Sequence, residues 1–310
     1  MQNLKKIKGD ASHRNFFRNK KKNSIIVYAK KDKVKNLLIY DAINKILNKN
    51  GILAPNLYQE NYKKNFIEIQ DFGNETLFKI LNKKINKFFY LKKVIKILIK
   101  IQLIKDRKVK NFIKKEYLVP KYEKKILISE ANLFCDWYIK KKLKKTIRNN
   151  FSKKYQKIII KLASSLKLKN SIFVHRDFHL SNLMLVKNRI GVIDSQDALI
   201  GNKAYDLASL IDDVRLKTST SLKNKIYKFY VKKQNKLDKK NFKNDFEILS
   251  VLRNLKIIGI FTRLATRDKK KDYLKLIPYA WKLINLRIHE NEIFKDLKEL
   301  LRQNFKGKIK

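Results

Sequence analysis

The chain has 310 residues, of which 76 are Lys or Arg and 27 are Asp or Glu, so its formal net charge is +49; 44% of its residues are hydrophobic. This size and composition suit a globular protein with one or two lobes. The single cysteine, Cys135, excludes an internal disulfide and a multi-cysteine zinc site, and we expect it to be a packing residue. No apolar run reaches the roughly 18 residues that span a bilayer, and residues 1–8 lack a signal-peptide core, so we expect a cytoplasmic protein without membrane insertion.

The positive charge alone predicts only solubility and weak, salt-sensitive binding to polyanions. The chain has 64 Lys and 12 Arg, and the lysines are spread along its length instead of forming one stripe interleaved with aromatic residues. We therefore interpret them as a solvated coat and expect no specific nucleic-acid partner. The alternative is a non-catalytic protein that binds RNA or an anionic membrane through this charge.

The first 75 residues mix strand and helix patterns. Residues 24–29 and 66–70 are short β-rich runs, whereas residues 34–48 carry apolar side chains at helical spacing. Residues 107–125, which are charged and interrupted by Pro120, are expected to be a mobile connection. From residue 76 onward helical periodicity dominates, in segments 86–105, 130–148, 151–166, 205–216, 244–265 and 273–288. The chain is therefore predicted to have a small β-rich part followed by a larger, mainly helical part.

The segment from Val174 to Asp213 spaces polar groups as a phosphoryl-transfer site requires. Asp177 is followed five residues later by Asn182, and Asp194 comes after two apolar runs separated by a turn. Phosphoryl transfer needs a carboxylate near the acceptor hydroxyl and metal ligands near the phosphates, held in line. Asp177 fits the first role. Asn182 and Asp194 fit the second, because Mg²⁺ takes oxygen ligands and usually binds through only one or two carboxylates. This pattern is typical of a kinase active site.

The pattern His-x-Asp-x4-Asn that begins at His175, followed by Asp194 and then by Asp-Leu-Ala from Asp206, resembles the aminoglycoside phosphotransferase and choline kinase group, relatives of the protein kinases. Further blocks resemble the bacterial anomeric kinases that act on N-acetylmuramate and N-acetylglucosamine, namely residues 9–14, 130–138, 255–264 and 267–268. The resemblance implies an α+β, two-lobed protein-kinase-like fold. Residues 1–73 would form the nucleotide-binding lobe, and residues 74–310 the catalytic and acceptor-binding lobe.

The resemblance also implies that ATP and Mg²⁺ are the cofactors. A loop with Gly9 and Ser12 would approach the ATP phosphates through backbone N–H groups and the Ser12 hydroxyl. Arg14 or Arg18 would add positive charge beside this loop. Asp71 and Phe72 would begin a hinge whose backbone holds the adenine edge.

Two positions depart from the pattern of this group. The strand at residues 24–29 contains no lysine, so either Lys30, just past its end, or an arginine would reach the phosphates. The subfamily tends to have an aromatic residue after the metal-binding aspartate, where this chain has Ser195. We therefore expect different packing beneath the metal site.

Supporting roles are expected for His175, His179, Asp197 and Asp206. His175 would pack and hydrogen-bond to shape the catalytic loop, and Asp206 would brace that loop from the following helix, as the resemblance implies. His179 would either approach the phosphates or cap the loop. Asp197 is either a supporting carboxylate or additional ligand at the metal site, or one partner of a surface ion pair.

The acceptor site is predicted less directly. The blocks that resemble sugar kinases contain the candidates Glu130, Trp137, Arg263 and Asp268, although core packing is the alternative for Trp137. Arg263 is the candidate partner of a sugar hydroxyl or of the lactyl carboxylate of N-acetylmuramate. We expect a kinase that forms a sugar 1-phosphate used in cell-wall recycling. Within the same class, the alternative is a kinase for another hydroxyl acceptor, such as an aminoglycoside or a choline-like alcohol.

Overall fold

The computed structural model describes residues 4–7, 14–83, 86–289 and 291–309. The chain divides into two compact units. The first comprises residues 1–120 and 172–200, and the second comprises residues 121–171 and 201–310. The lobe boundary at residue 73, which the resemblance implies, stays a prediction.

The first unit contains a five-stranded antiparallel sheet in the order β1-β2-β3-β5-β4. Its strands are β1 (Leu4–Ile7), β2 (Asn15–Asn19), β3 (Ser24–Tyr28), β4 (Leu57–Asn61) and β5 (Phe66–Gln70). Helix α1 (Lys35–Lys49) packs on the sheet, and Leu37 and Tyr40 join Val27 and Ile67 in a buried core. Helix α1 and strands β3 and β5 confirm three predicted elements, whereas β1, β2 and β4 were not predicted from the sequence.

The remainder of the first unit carries α2 (Leu77–Leu81), α3 (Lys87–Leu103), β6 (Lys108–Lys110), β7 (Glu116–Leu118), β8 (Ile172–Val174), β9 (Leu183–Val186) and β10 (Arg189–Val192). Strand β11 (Leu199–Gly201) begins in this unit. Strands β9 and β10 form a hairpin. Its turn residues, Lys187 and Asn188, have φ angles of 43° and 64°, the left-handed conformation that a tight two-residue hairpin requires. Strands β6 and β7 pair inside the segment expected to be a mobile connection. Their shortness explains why the sequence pattern missed them.

The second unit is helical. Its helices are α4 (Lys124–Leu133), α5 (Lys140–Lys142), α6 (Lys145–Ser164), α7 (Tyr205–Ile211), α8 (Thr220–Lys232), α9 (Lys239–Thr266), α10 (Ile277–Ile288) and α11 (Lys295–Asn304), with a π-helical segment at Phe134–Ile139. Helix α9 lies against α4, α7, α10 and the π-helical segment. At Gly259, a Cβ atom would lie 2.3 Å from Leu133 O, so α9 approaches this backbone closely because the side chain is absent. The predicted α+β class is confirmed.

Several predicted helix boundaries were wrong. The break expected near residues 149–150 occurs instead at Leu143 and Lys144, which are extended, and α6 continues through Asn149 and Asn150. Asparagine has a modest helix propensity, but the burial of Phe151 and other residues of α6 outweighs it. Helix α7 ends at Ile211 instead of residue 216, and α8 and α11 were not predicted. None of the helices in the described part of the chain combines the length and apolar character needed to cross a membrane.

Candidate active site

The backbone of Ile193 connects the motif residues in the first unit. Its N–H donates to the carbonyl oxygen of Asn182 at 3.0 Å, and its own carbonyl accepts from His175 Nε2 at 3.2 Å. Because Asp194 follows Ile193 directly, these two bonds hold it beside the loop that carries Asp177. The structure therefore brings the three predicted catalytic and metal-binding residues together.

The side-chain oxygens of Asn182 and Asp177 remain available to a ligand. Asn182 Nδ2 donates to the backbone carbonyl of Asp177 at 3.1 Å and lies 3.4 Å from His179 Nε2. This arrangement uses the amide nitrogen of Asn182, and no residue in the described part of the chain donates to its Oδ1. The Asp177 carboxylate is half-buried and makes no hydrogen bond or ion pair within the same described ranges. Both oxygen-bearing groups can therefore accept a ligand.

His175 has the structural surroundings expected of a residue that shapes the loop. It is fully buried, and its ring packs edge-on against Phe178 at a centroid distance of 6.0 Å. Burial lowers the pKa of His175, although Asp177 and Asp194 act in the opposite direction. A neutral imidazole can still donate from Nε2 to the Ile193 carbonyl.

Asp194 forms an ion pair with Arg14. The Arg14 side chain is 6% exposed and that of Asp194 is 37% exposed. The guanidinium also lies 5.4 Å from the ring centroid of Phe16 and 5.5 Å from that of Tyr40. Burial raises the pKa of Tyr40 to about 12, against the effect of Arg14. Of the two cations predicted to replace the missing strand lysine, the arginine is the one that contacts the metal-site aspartate, whereas Lys30 is exposed.

Asp197 forms the surface ion pair considered above. Its Oδ1 lies 3.6 Å from Arg176 Nη1, and its Oδ2 accepts from Gln196 Nε2 at 2.9 Å. The Asp197 side chain is 48% exposed. Arg176 itself has a φ angle of 74°, which is uncommon for a residue with a side chain and places a strained position next to Asp177.

The predicted hinge is held by Arg18. Arg18 Nε and Nη2 bind the two carboxylate oxygens of Asp71 at 2.5 and 2.9 Å, and Nη2 also donates to the Gly73 carbonyl at 2.8 Å. Phe72 is buried against Gly191 of β10, where an added Cβ would lie 2.6 Å from the Phe72 ring. Arg18 therefore binds the hinge segment, a contact that the sequence analysis did not predict. The loop candidates Gly9 and Ser12 lie outside the described residues.

Glu130 is engaged inside the helical unit. Its carboxylate accepts a hydrogen bond from the Tyr122 hydroxyl and lies 2.9 Å from Lys256 Nζ. The side chains of Lys256 and Glu130 are only 15% and 10% exposed. Asp206, at the start of α7, is also buried. The binding role suggested for Glu130 and the bracing role suggested for Asp206 stay predictions.

In the π-helical segment, the candidate Trp137 and its neighbour Tyr138 differ in exposure. Tyr138 is buried and its hydroxyl accepts from Trp281 Nε1 at 3.3 Å, so it is part of the core. Trp137, in contrast, is partly exposed. Cys135 is partly buried, and burial raises its thiol pKa to about 12, which agrees with the expected packing role.

The arginines near the end of α9 differ in their partners. Arg267 binds both carboxylate oxygens of Asp268, at 2.7 and 3.1 Å. Arg263 is half-buried, and its Nε atom is enclosed without a hydrogen-bond partner in the part of the chain that the structure describes. Burial and, secondarily, Arg267 lower the pKa of Arg263, whereas Asp268 raises it. Arg263 therefore retains donors for a ligand, whereas Asp268 is already paired.

Part of the chain is similar to a known protein family. Residues 92–230 match the phosphotransferase enzyme family, a segment that begins in α3, includes Asp177, Asn182 and Asp194, and ends in α8. The predicted resemblance to this group is therefore confirmed over this segment of the chain.

Among solved structures, a choline/ethanolamine kinase family protein from Mesorhizobium loti has a TM-score of 0.64 at 11% identity, covering 97% of this chain and 92% of its own. An ADP-bound aminoglycoside phosphotransferase, APH(2'')-Ib, has a TM-score of 0.62 at 16% identity, covering 91% and 94%. At these identities the similarity establishes the fold, which is kinase-like as predicted.

Relatives with higher sequence identity than these structures share one name. A protein of Neisseria meningitidis serogroup B called N-acetylmuramate/N-acetylglucosamine kinase is 34% identical over 53% of this chain. In that match the chain spans about half of the relative's length, 51%. A protein of Pseudomonas putida with the same name is 26% identical over 94% of this chain and 85% of the relative.

Proposed function

We propose that this chain is an ATP- and Mg²⁺-dependent kinase that phosphorylates the anomeric hydroxyl of N-acetylmuramate or N-acetylglucosamine. The single observation that carries the proposal is the pair of hydrogen bonds that Asn182 and His175 form with the backbone of Ile193. These bonds join the Asp177 loop, Asn182 and Asp194. A phosphotransferase needs these groups in one place, whereas a polyanion-binding protein does not. The relatives named for the two sugars support the choice of acceptor.

Asp177 would orient the acceptor hydroxyl and accept its proton. The hydroxyl oxygen forms a bond to the γ-phosphorus of ATP while the bond from that phosphorus to the β,γ-bridging oxygen breaks and ADP leaves. The half-buried Asp177 carboxylate has no competing partner in the described ranges, which suits it for this role.

The available oxygen donors fit a magnesium site. No cluster of three or more His, Cys, Asp or Glu side chains suited to a metal occurs within the described residues. These residues therefore do not supply a complete set of metal ligands by themselves. Mg²⁺ does not need one, because it commonly takes one or two protein oxygens and completes its shell with phosphate and water. Asn182 Oδ1 and the Asp194 carboxylate would hold the ion, which when bound neutralises charge on the phosphates. Arg14 would then bind a phosphate oxygen in place of the strand lysine.

For the acceptor, we propose Arg263 as a binding residue. Its enclosed Nε lacks a partner among the described residues, whereas the neighbouring Arg267 is committed to Asp268. A guanidinium can donate to a hydroxyl, to an amide oxygen or, in two parallel bonds, to a carboxylate. Of the two proposed sugars, N-acetylmuramate alone carries the lactyl carboxylate.

The experiment that tests this function measures ADP release with N-acetylmuramate, N-acetylglucosamine, choline and an aminoglycoside, in the presence of ATP and Mg²⁺. Sugar-dependent turnover that Asp177→Asn abolishes is expected, together with an anomeric phosphate signal in ³¹P NMR. Turnover with choline or the aminoglycoside alone would instead identify the other acceptor class. Folded protein that turns over none of the four contradicts the proposal.

Arg263→Ala tests the acceptor residue. We expect a raised KM for the sugar, with a larger increase for N-acetylmuramate if the lactyl carboxylate is the partner, and an unchanged KM for ATP. Arg267→Ala is the matched control, because its guanidinium binds Asp268. Equal sugar KM values for wild type and Arg263→Ala would remove Arg263 from the site.

A further inference from the structure

A buried hydrogen bond joins α1 to the residue that follows Asp194. Ser195 Oγ donates to Asn44 Oδ1 at 2.6 Å, and the two residues are 0% and 4% exposed. Asn44 Nδ2 donates to the Pro55 carbonyl at 3.1 Å, which fixes the amide so that its oxygen faces Ser195. The two partners are 151 positions apart in the chain, so only the folded state brings them together.

Asp194 is consequently constrained on both sides. Before it, Ile193 is held by Asn182 and His175. After it, the Ser195 carbonyl accepts from Ala198 N at 3.0 Å while the Ser195 hydroxyl is bound to α1. Asp194 itself has a φ angle of 62°. Such a left-handed conformation is uncommon for a residue with a side chain and persists only where the surroundings impose it.

Helix α1 also reaches the Asp194 carboxylate by a second route. Arg14, which pairs with that carboxylate, lies against the ring of Tyr40. Tyr40 is one helical turn before Asn44, so both face the same region from one side of α1. The position of α1 and the orientation of the carboxylate are thereby coupled.

We propose that Asn44 and Ser195 are positioning residues that hold the Asp194 carboxylate in the orientation that binds a divalent cation. The proposal rests on the proposed kinase function and adds two residues that do not touch the cation. It also gives a reason for the serine: a phenylalanine at this position could not donate to the buried oxygen of Asn44, which would be left without this bond. Partners that orient metal-binding side chains typically change metal affinity by about 10–100-fold when removed.

The test measures binding of Mn²⁺, as a probe for Mg²⁺, to the protein saturated with ADP, using the electron paramagnetic resonance signal of free Mn²⁺. Calorimetry with ADP and EDTA measures nucleotide binding without a divalent cation. The variants are Ser195→Ala, Asn44→Ala and their combination, with Ser195→Thr to restore the hydroxyl. Asn48→Ala is the control, because Asn48 is one turn further along α1 and binds Asn56 Oδ1 at 3.0 Å and Ala54 N at 2.9 Å.

We expect each single variant to weaken Mn²⁺ binding about 10-fold or more, with cation-free ADP binding unchanged. The combination should lose no more than one single variant, because both remove the same bond. Ser195→Thr should recover Mn²⁺ binding, and Asn48→Ala should keep it even if its melting temperature falls.

Two results would overturn the proposal, and they differ. If the wild type binds Mn²⁺ with ADP and the folded Ser195→Ala and Asn44→Ala variants bind it equally well, the pair only stabilises the fold and the kinase function stands. If the wild-type protein binds no Mn²⁺ in the presence of ADP, the proposed function fails and the pair has no cation to position.

Discussion

Both compact units contain a carboxylate contacted by basic side chains, but the two carboxylates differ in what remains available. In the first unit, Asp194 pairs with Arg14 and keeps 37% of its side chain exposed. In the second, Asp212 is 0% exposed and binds Arg287 at 2.8 Å, Lys223 at 3.2 Å and the Ser250 hydroxyl at 2.5 Å. The first carboxylate can take a further ligand, whereas the second has its oxygens occupied by protein.

The availability of carboxylate oxygens distinguishes a ligand-binding site from a structural ion pair better than the presence of basic neighbours does. A fully buried carboxylate is tolerated when the protein itself supplies its partners, and its removal then leaves buried cations uncompensated. A carboxylate that is accessible or has spare oxygens at a strained backbone position is instead a candidate for ligand binding. Asp194, whose own φ angle is 62°, and Asp177, which directly follows the strained Arg176, meet this second description, and Asp212 meets the first.

The largest expected effect is on catalysis, from Asp177→Asn. The substitution keeps the shape of the side chain but removes the proton acceptor, so kcat should fall on the order of 10² to 10⁴-fold. Because the Asp177 carboxylate has no partner in the described part of the chain, the urea midpoint should stay near that of the wild type. Steady-state kinetics and a urea titration measure the two quantities. Full activity in this variant would show that Asp177 is not the base.

The local parts of this site could be predicted from the sequence. Asp177 and Asn182 are five residues apart in one loop, and the apolar runs that became β9 and β10 lead directly to Asp194. The central strands β3 and β5 were also predictable, because they are dense in β-branched residues. Strands β1 and β4 were missed because their sequences, LKKI and LYQEN, show little apolar alternation.

Long-range partners could not be predicted in this way. Arg14 is 180 positions from Asp194, and Asn44 is 151 positions from Ser195, so no local pattern connects them. One signal was present: Asn44 is, with Asp41, one of two polar residues among the buried side chains of α1, and a buried amide requires hydrogen-bond partners. That signal indicates that a partner exists, but its identity depends on the tertiary fold.

The next effect is on stability, from Asp212→Asn. Removing this charge leaves Arg287 and Lys223 without their buried counter-ion, so we expect a loss of about 3–5 kcal/mol in the free energy of unfolding at pH 7. Burial alone would raise the pKa of Asp212, but Arg287 and Lys223 lower it overall.

The pH dependence of this effect follows from the lowered pKa. A carboxyl whose pKa is lower in the folded state contributes stability above its unfolded pKa of about 3.9, and this contribution is lost as the pH falls toward the folded value. The difference between wild type and Asp212→Asn should therefore be full at pH 7 and should narrow below about pH 4. Urea titrations across this range measure it, and a difference that widens on acidification would contradict the assignment.

A smaller loss is expected for Gly259→Ala. The new methyl group would lie 2.3 Å from Leu133 O and 2.7 Å from Phe134 N, both backbone atoms, so α9 and the start of the π-helical segment must separate. Overpacking of this kind typically costs about 1–3 kcal/mol. Alanine otherwise favours a helix over glycine by up to about 1 kcal/mol, so an unchanged or raised stability would show that the two backbones separate without strain.

The smallest expected effect is that of Lys161→Ala, which removes an exposed ion pair instead of a buried one. Lys161 Nζ lies 2.8 Å from Asp296 Oδ2, as close as Arg287 is to Asp212, but the two side chains are 65% and 52% exposed. Water screens an exposed pair, and ordering two side chains offsets most of the attraction, so the change in unfolding free energy should stay below about 1 kcal/mol. Urea titrations at low and high salt measure it. If Lys161→Ala cost as much as Asp212→Asn, distance and not burial would determine the strength of these ion pairs, and the distinction drawn between exposed and buried carboxylates would fail.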